Sequence, residues 1–110
     1  MNEITGTGWT FLTNHAHVLV CIADDADARG RDIAERVGIT ERAAQAIIAD
    51  LVRDGYVSRT RVGRRNRYQI VLAAPLRHPL ERNRTVGALL HALGRPSTAL
   101  SRPIADAHSA

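Results

Sequence analysis

The sequence contains no lysine, and all fifteen of its basic residues are arginine. GC-rich coding produces the same bias, so where the arginines sit says more than which base they are. Aromatic side chains are nearly absent: one Trp, one Phe and two Tyr in 110 residues. Any core must therefore be aliphatic. A hydrophobic share of 45% is enough to build one and too high for a disordered chain. The single cysteine, Cys21, excludes an internal disulfide and fits a reducing cytoplasm. No apolar run approaches the ~18 residues of a membrane span, and the chain does not start with the basic-then-apolar pattern of a signal peptide. These absences predict a soluble cytoplasmic protein, and its length suits one domain.

Catalytic patterns are missing as well. There is no nucleophile–base pair, no phosphate-binding glycine loop and no carboxylate dyad, so an enzyme is not expected. His15 and His17 lie two apart, which turns them to different faces of a helix and argues against a metal site there. Neither a metal nor a cofactor is expected. Cys21 reads as a small apolar group.

What the sequence does hold is a localised charge. Residues 56–84 carry eight arginines against one acid, Glu81, while the rest of the chain carries seven arginines against ten acids. Positive charge gathered on one segment of a small domain is the footprint of a phosphate-binding surface.

Local patterns give the framework. Trp9–Leu12 is a short apolar lead-in. Thr13 or Asn14 caps a first helix running to about Asp24, with Ala16, Leu19, Val20 and Ala23 at helical spacing. A loop to Gly30 leads into a second helix, about Arg31–Val37, with Asp32 in its first turn. Gly38-Ile39-Thr40 breaks the pattern, and Thr40 caps a third helix from Glu41 to about Asp54, closed by Gly55. Two β-rich runs, Tyr56–Val62 and Arg67–Leu72, flank Gly63-Arg64-Arg65-Asn66 and predict a hairpin. Tyr68, Ile70 and Leu72 share one strand face and suit the core.

The segment Gly30–Ile47 answers the needs of two helices crossing through a three-residue turn. Ala34 is small where the backbones approach, and Gly38 can take positive φ in the turn. Ile33, Val37, Ile39, Ala44, Ile47, Ile48 and Leu51 are apolar where the shared core lies. This is a helix-turn-helix, and the hairpin after it makes a winged one. The predicted class is mainly α with a small β-hairpin wing (α+β), carrying an extra C-terminal helix.

On the residues Asp32–Gly38, Ile39–Ala43, Leu51–Val57 and Val62–Tyr68 the sequence resembles the winged helix-turn-helix transcription regulators of the MarR and ArsR type, a bacterial group. The resemblance covers residues 14–73. It implies a regulator that binds double-stranded DNA as a homodimer. The third helix would enter the major groove and the wing would meet the backbone or minor groove. The outward positions include Thr40, Glu41, Arg42 and Gln45. Arg42 suits guanine and Gln45 adenine, Glu41 either accepts from cytosine or serves as a helix-start anion, and Thr40 spends its hydroxyl on the cap or a phosphate. In the wing, Arg59 and Arg61 share a strand face, Arg64, Arg65 and Asn66 form the tip, and Arg67 flanks it.

The last part of the chain points to assembly. Pro79 suits a first helical turn, Gly94-Arg95-Pro96 is a stop, and Val86, Leu89, Leu90 and Leu93 form an apolar stripe. A helix over about 79–93 is predicted to pair with the same stripe of a second copy and with Trp9 and Phe11, or else to fold back on its own first helix. The domain is predicted to span 1–94, and 95–110 to be a disordered tail. A small-molecule effector is compatible with this reading but not indicated. Two other functions stay open: a winged-helix protein-interaction module without DNA binding, and an RNA-binding winged domain, which scarce stacking aromatics disfavour.

Overall fold

Threonines start three of the four helices in residues 8–95, the part of the chain that the computed structural model describes. Helix α1 spans Asn14–Asp24, α2 Gly30–Val37, α3 Glu41–Arg53 and α4 Val86–Ala92. The hydroxyls of Thr13, Thr40 and Thr85 accept the N–H groups of Ala16, Ala43 and Ala88, at 3.4, 3.0 and 3.1 Å. Each bond satisfies one of the donors that a helix start leaves without an internal partner. Between α3 and α4 lies one antiparallel hairpin, β1 (Val57–Val62) against β2 (Arg65–Ile70). The fold is the expected α+β winged helix-turn-helix.

Gly38 forms the turn between α2 and α3. It sits at φ +88°, a conformation any side chain would strain, and its N–H bonds the Ala34 carbonyl at 2.8 Å. The crossing buries Ile33, Ala34, Ala44, Ile48 and Leu51, with Val37, Ile39 and Ile47 half-buried around them. Ile33 and Ile48 have no exposed surface, and each contributes roughly 1.5–3 kcal/mol by leaving water. Tyr68 and Ile70 are buried as expected, and Leu72 packs against them.

Helix α1 turns a different face inward from the expected one. Its buried residues are Val18, Leu19, Cys21 and Ile22, while Ala16, Val20 and Ala23 are only half-buried. Both sets have helical spacing. Size decides, because Val18 and Ile22 withdraw more apolar area from water than Ala16 and Ala23 can.

The C-terminal helix is half as long as predicted. Pro79 belongs to a turn, not to a helix start: the Glu81 N–H bonds the His78 carbonyl at 2.8 Å, placing Pro79 at the second position of a four-residue turn, which its fixed φ favours. A bridge between Pro75 and Thr85 closes this excursion, and α4 begins only at Val86. Val86 and Leu90 are fully buried in the same core as α1 and the hairpin. The three helices and wing therefore do not close the domain alone; α4 is part of its wall. Half of the expected dimer stripe is thus spent inside its own chain, which leaves Leu89 and Leu93, both half-buried.

Arg95, the first residue of the expected tail, is tied back. Its Nε and Nη2 donate to the two carboxylate oxygens of Asp24 at 2.8 Å each, and Arg36 Nη1 adds a third bond at 3.1 Å. The remainder of that segment, 96–110, lies outside the described residues.

Candidate nucleic-acid interface

The outer face of α3 is defined by what the core leaves over. Ala44, Ile48 and Leu51 point inward, so Glu41, Arg42, Gln45, Ala46 and Ala49 are exposed. Arg42 and Gln45, three apart, stand on one side of the helix. Ala46 and Ala49 beyond them are small and allow close approach to a facing surface. Thr40 is exposed but commits its hydroxyl to the cap. At the other end of α3, charge is consumed internally. Arg53 pairs with Asp50 and Asp54 at 3.1 and 3.2 Å, and His15 Nε2 lies 2.9 Å from Asp50 Oδ2. The bond from Arg53 holds the Asp54 carboxyl below its usual range, and that from His15 does the same for Asp50. Unpaired positive charge on α3 is thereby confined to its N-terminal end.

The wing turns more tightly than the sequence suggests. Val62 pairs with Arg65, so only Gly63 and Arg64 make the loop, and Arg65 and Asn66 belong to β2. Gly63 takes φ +65° while Arg64 does not take positive φ, the pattern of a type II′ hairpin turn. Arg59 lies opposite Tyr68, and Arg61 opposite Asn66. Arg61 Nε reaches the Gly63 carbonyl at 3.4 Å. Among the described residues, no hydrogen bond or ion pair engages the side chain of Arg42, Arg59 or Arg64.

Arg65 and Arg67 are placed differently. Both turn to Asp27 in the loop between α1 and α2: Arg67 Nε donates to Asp27 Oδ1 at 2.8 Å, and Arg65 Nη2 donates to the Asp27 carbonyl. The loop itself is bound along β2, since the Tyr68 N–H bonds the Ala26 carbonyl at 2.9 Å. Sequence reasoning missed Asp27. The acidic run Asp24–Asp27 and the basic wing are complementary in charge, but some forty residues apart, and charge alone does not name a partner at that separation.

A cleft of about 180 Å³ opens where these elements converge. Arg29 and Gly30 at the start of α2, Gln45 of α3, and Arg64, Arg65 and Asn66 of the wing line it. Arg29 precedes α2 without a side-chain cap, so the helix start faces the cleft region with its own unsatisfied donors. Arg29 and Gly30 were not foreseen as site residues.

The residues expected for assembly lie elsewhere. Trp9 and Phe11 form an edge-to-face pair with ring centres 5.0 Å apart, and Phe11 is 91% exposed. Phe11 and Leu89 border a larger hollow of about 560 Å³ with mostly apolar walls that include Leu12, Leu19, Tyr56 and Leu76.

Among the described residues there is no cluster of three potential metal ligands, and no helix is long and apolar enough to cross a membrane. No curated protein matches the chain. The family model of winged helix-turn-helix DNA-binding domains matches residues 13–58, from the cap of α1 to the second residue of β1. With the hairpin completed by β2, the fold is a winged helix-turn-helix, and its residues 13–58 are similar to the DNA-binding domains that this family model describes.

Proposed function

We propose that the chain is a transcription regulator that binds double-stranded DNA sequence-specifically as a homodimer, a small relative of the MarR and ArsR type. The observation that carries this reading is the convergence of Arg42 and Gln45 on the exposed start of α3 with the arginine-lined cleft beside it. A helix fits the major groove, and Arg and Gln there match the edges of guanine and adenine. A strand's phosphate seated in the cleft would meet Arg29, Arg64 and the start of α2. A winged helix-turn-helix is not generally an enzyme, and no reaction is assigned.

The dimer rests on Trp9, Phe11, Leu89 and Leu93. An aromatic residue as exposed as Phe11, beside an apolar hollow, is surface that a monomer gains nothing by keeping. The RNA reading is not favoured, since among the described residues no aromatic ring lies on the exposed face of α3 or in the wing turn. Selection of bound duplexes from a random pool tests the proposal. A shared site with two-fold symmetry is the expected outcome, and recovery of unrelated sequences would reject specific reading.

A further inference from the structure

The wing presents its arginines in two states. Arg64 at the turn has no ionic partner among the described residues, whereas Arg67, three residues on, is paired with a carboxylate. We propose that Asp27 is a built-in competitor for the nucleic-acid backbone, its carboxylate occupying Arg67 and so withholding that guanidinium from phosphate. The proposal rests on the DNA-binding reading above and adds the residue that sets how many wing charges are spent on the duplex.

Three observations carry it. First, Asp27 is fixed in place. Its N–H bonds Asp25 Oδ1 at 2.9 Å, the Ala28 N–H bonds the Asp25 carbonyl at 3.1 Å, and Ala26 is held by Tyr68 of the wing. The carboxylate is thus delivered to Arg67 by a bound loop and is not a side chain that happened to swing there. Second, the pair is open to solvent on both sides, with about half of each side chain exposed. The Arg67 guanidinium is therefore within a phosphate's reach once the carboxylate is removed, and a pair worth at most ~1 kcal/mol bounds the gain. Third, the two contacts of Asp27 are chemically separable. Arg65 uses the backbone carbonyl and Arg67 the carboxylate, so Asp27→Asn removes the charge and leaves the Arg65 contact in place.

The consequence is countable. Each guanidinium that neutralises a phosphate releases counterions and steepens the dependence of log affinity on log salt by about 0.9. Wild type, Asp27→Asn, Arg67→Gln and the double variant should be titrated with one random-sequence duplex at several salt concentrations, alongside their thermal melts. Asp27→Asn is expected to bind about two- to tenfold more tightly at low salt. Its slope should be steeper by roughly 0.9 per protomer on the duplex. Arg67→Gln alone should change affinity less than about twofold, yet abolish the whole gain in the Asp27→Asn background. Unchanged or weaker binding by Asp27→Asn overturns the proposal, and so does an Arg67→Gln loss equally large in both backgrounds. If Asp27→Asn melts early, Arg67→Gln decides alone: near-wild-type affinity supports the competition, and a severalfold loss contradicts it. A wild type that binds no duplex takes the DNA reading down with it. A wild type that binds, with an Asp27→Asn that gains nothing, contradicts this inference only.

Discussion

Gln45 of α3 lies directly over Gly30 at the start of α2, so close that a Cβ on the glycine would overlap the Gln45 Nε2 atom. The missing side chain at position 30 therefore creates the place where the Gln45 carboxamide rests, at the mouth of the arginine-lined cleft.

Gly30→Ala should move Gln45 without harming the fold. Gly30 is helical and alanine is the better helix former, so stability should stay level or rise by up to about 1 kcal/mol. The displaced amide should cost about 1–3 kcal/mol of preference for the specific site, the same loss expected of Gln45→Ala. Competition binding with specific and random duplexes measures it. An undiminished preference would remove Gln45 from the readers.

Reading and holding should separate between α3 and the wing. Arg42→Ala should lose about 1–3 kcal/mol on the specific site and little on random DNA. Arg64→Ala should weaken both to a similar degree, since a turn arginine without a partner among the described residues is placed for phosphate. If Arg42→Ala keeps its full preference, another residue reads the site.

The residues expected for assembly should fall into two classes that behave oppositely. Leu90 has no exposed surface, so Leu90→Ala should cost about 2–5 kcal/mol of stability and Leu90→Asp should unfold the chain. Phe11→Ser should leave the melting temperature nearly unchanged and convert a dimer into a monomer, read by mass in solution. A wild type already monomeric would refute the assembly.

The Asp24 cluster should appear in the acid limb of stability. The hydrogen bond from Arg95, with Arg36 adding to it, holds the Asp24 carboxyl below its usual range. A depressed carboxyl contributes stability that is complete above the ordinary aspartate range and is lost as pH falls through the folded value. Asp24→Asn should therefore lose about 1 kcal/mol at neutral pH, a difference that shrinks towards zero at acid pH, where the folded carboxyl is protonated. Denaturant titrations at the two pH values check this, and a constant difference would contradict it.

Much of this was legible in the sequence for identifiable reasons. Gly38 and Thr40 fix the turn and the cap by their own chemistry, and the apolar spacing of Ile33, Ala44, Ile48 and Leu51 leaves only one outer face for α3. The rest depended on partners distant in the chain. Whether Val18 or Ala16 faces inward is settled by what packs on α1. Pro79 suits a turn as well as a helix start. Val86 and Leu90 looked surplus only because the space beneath them was not visible from their own segment. Asp27, Arg29 and Gly30 join the site through contacts with a hairpin and a helix far along the chain, which no local pattern announces.

The salt dependence of binding to a duplex tests the central claim most directly. A dimer that spends the arginines of two wings and two clefts on about six to ten phosphates should show a slope of log affinity against log salt of roughly −5 to −9. A binding constant that barely changes between low and physiological salt would contradict the account and favour a winged domain that docks on protein instead.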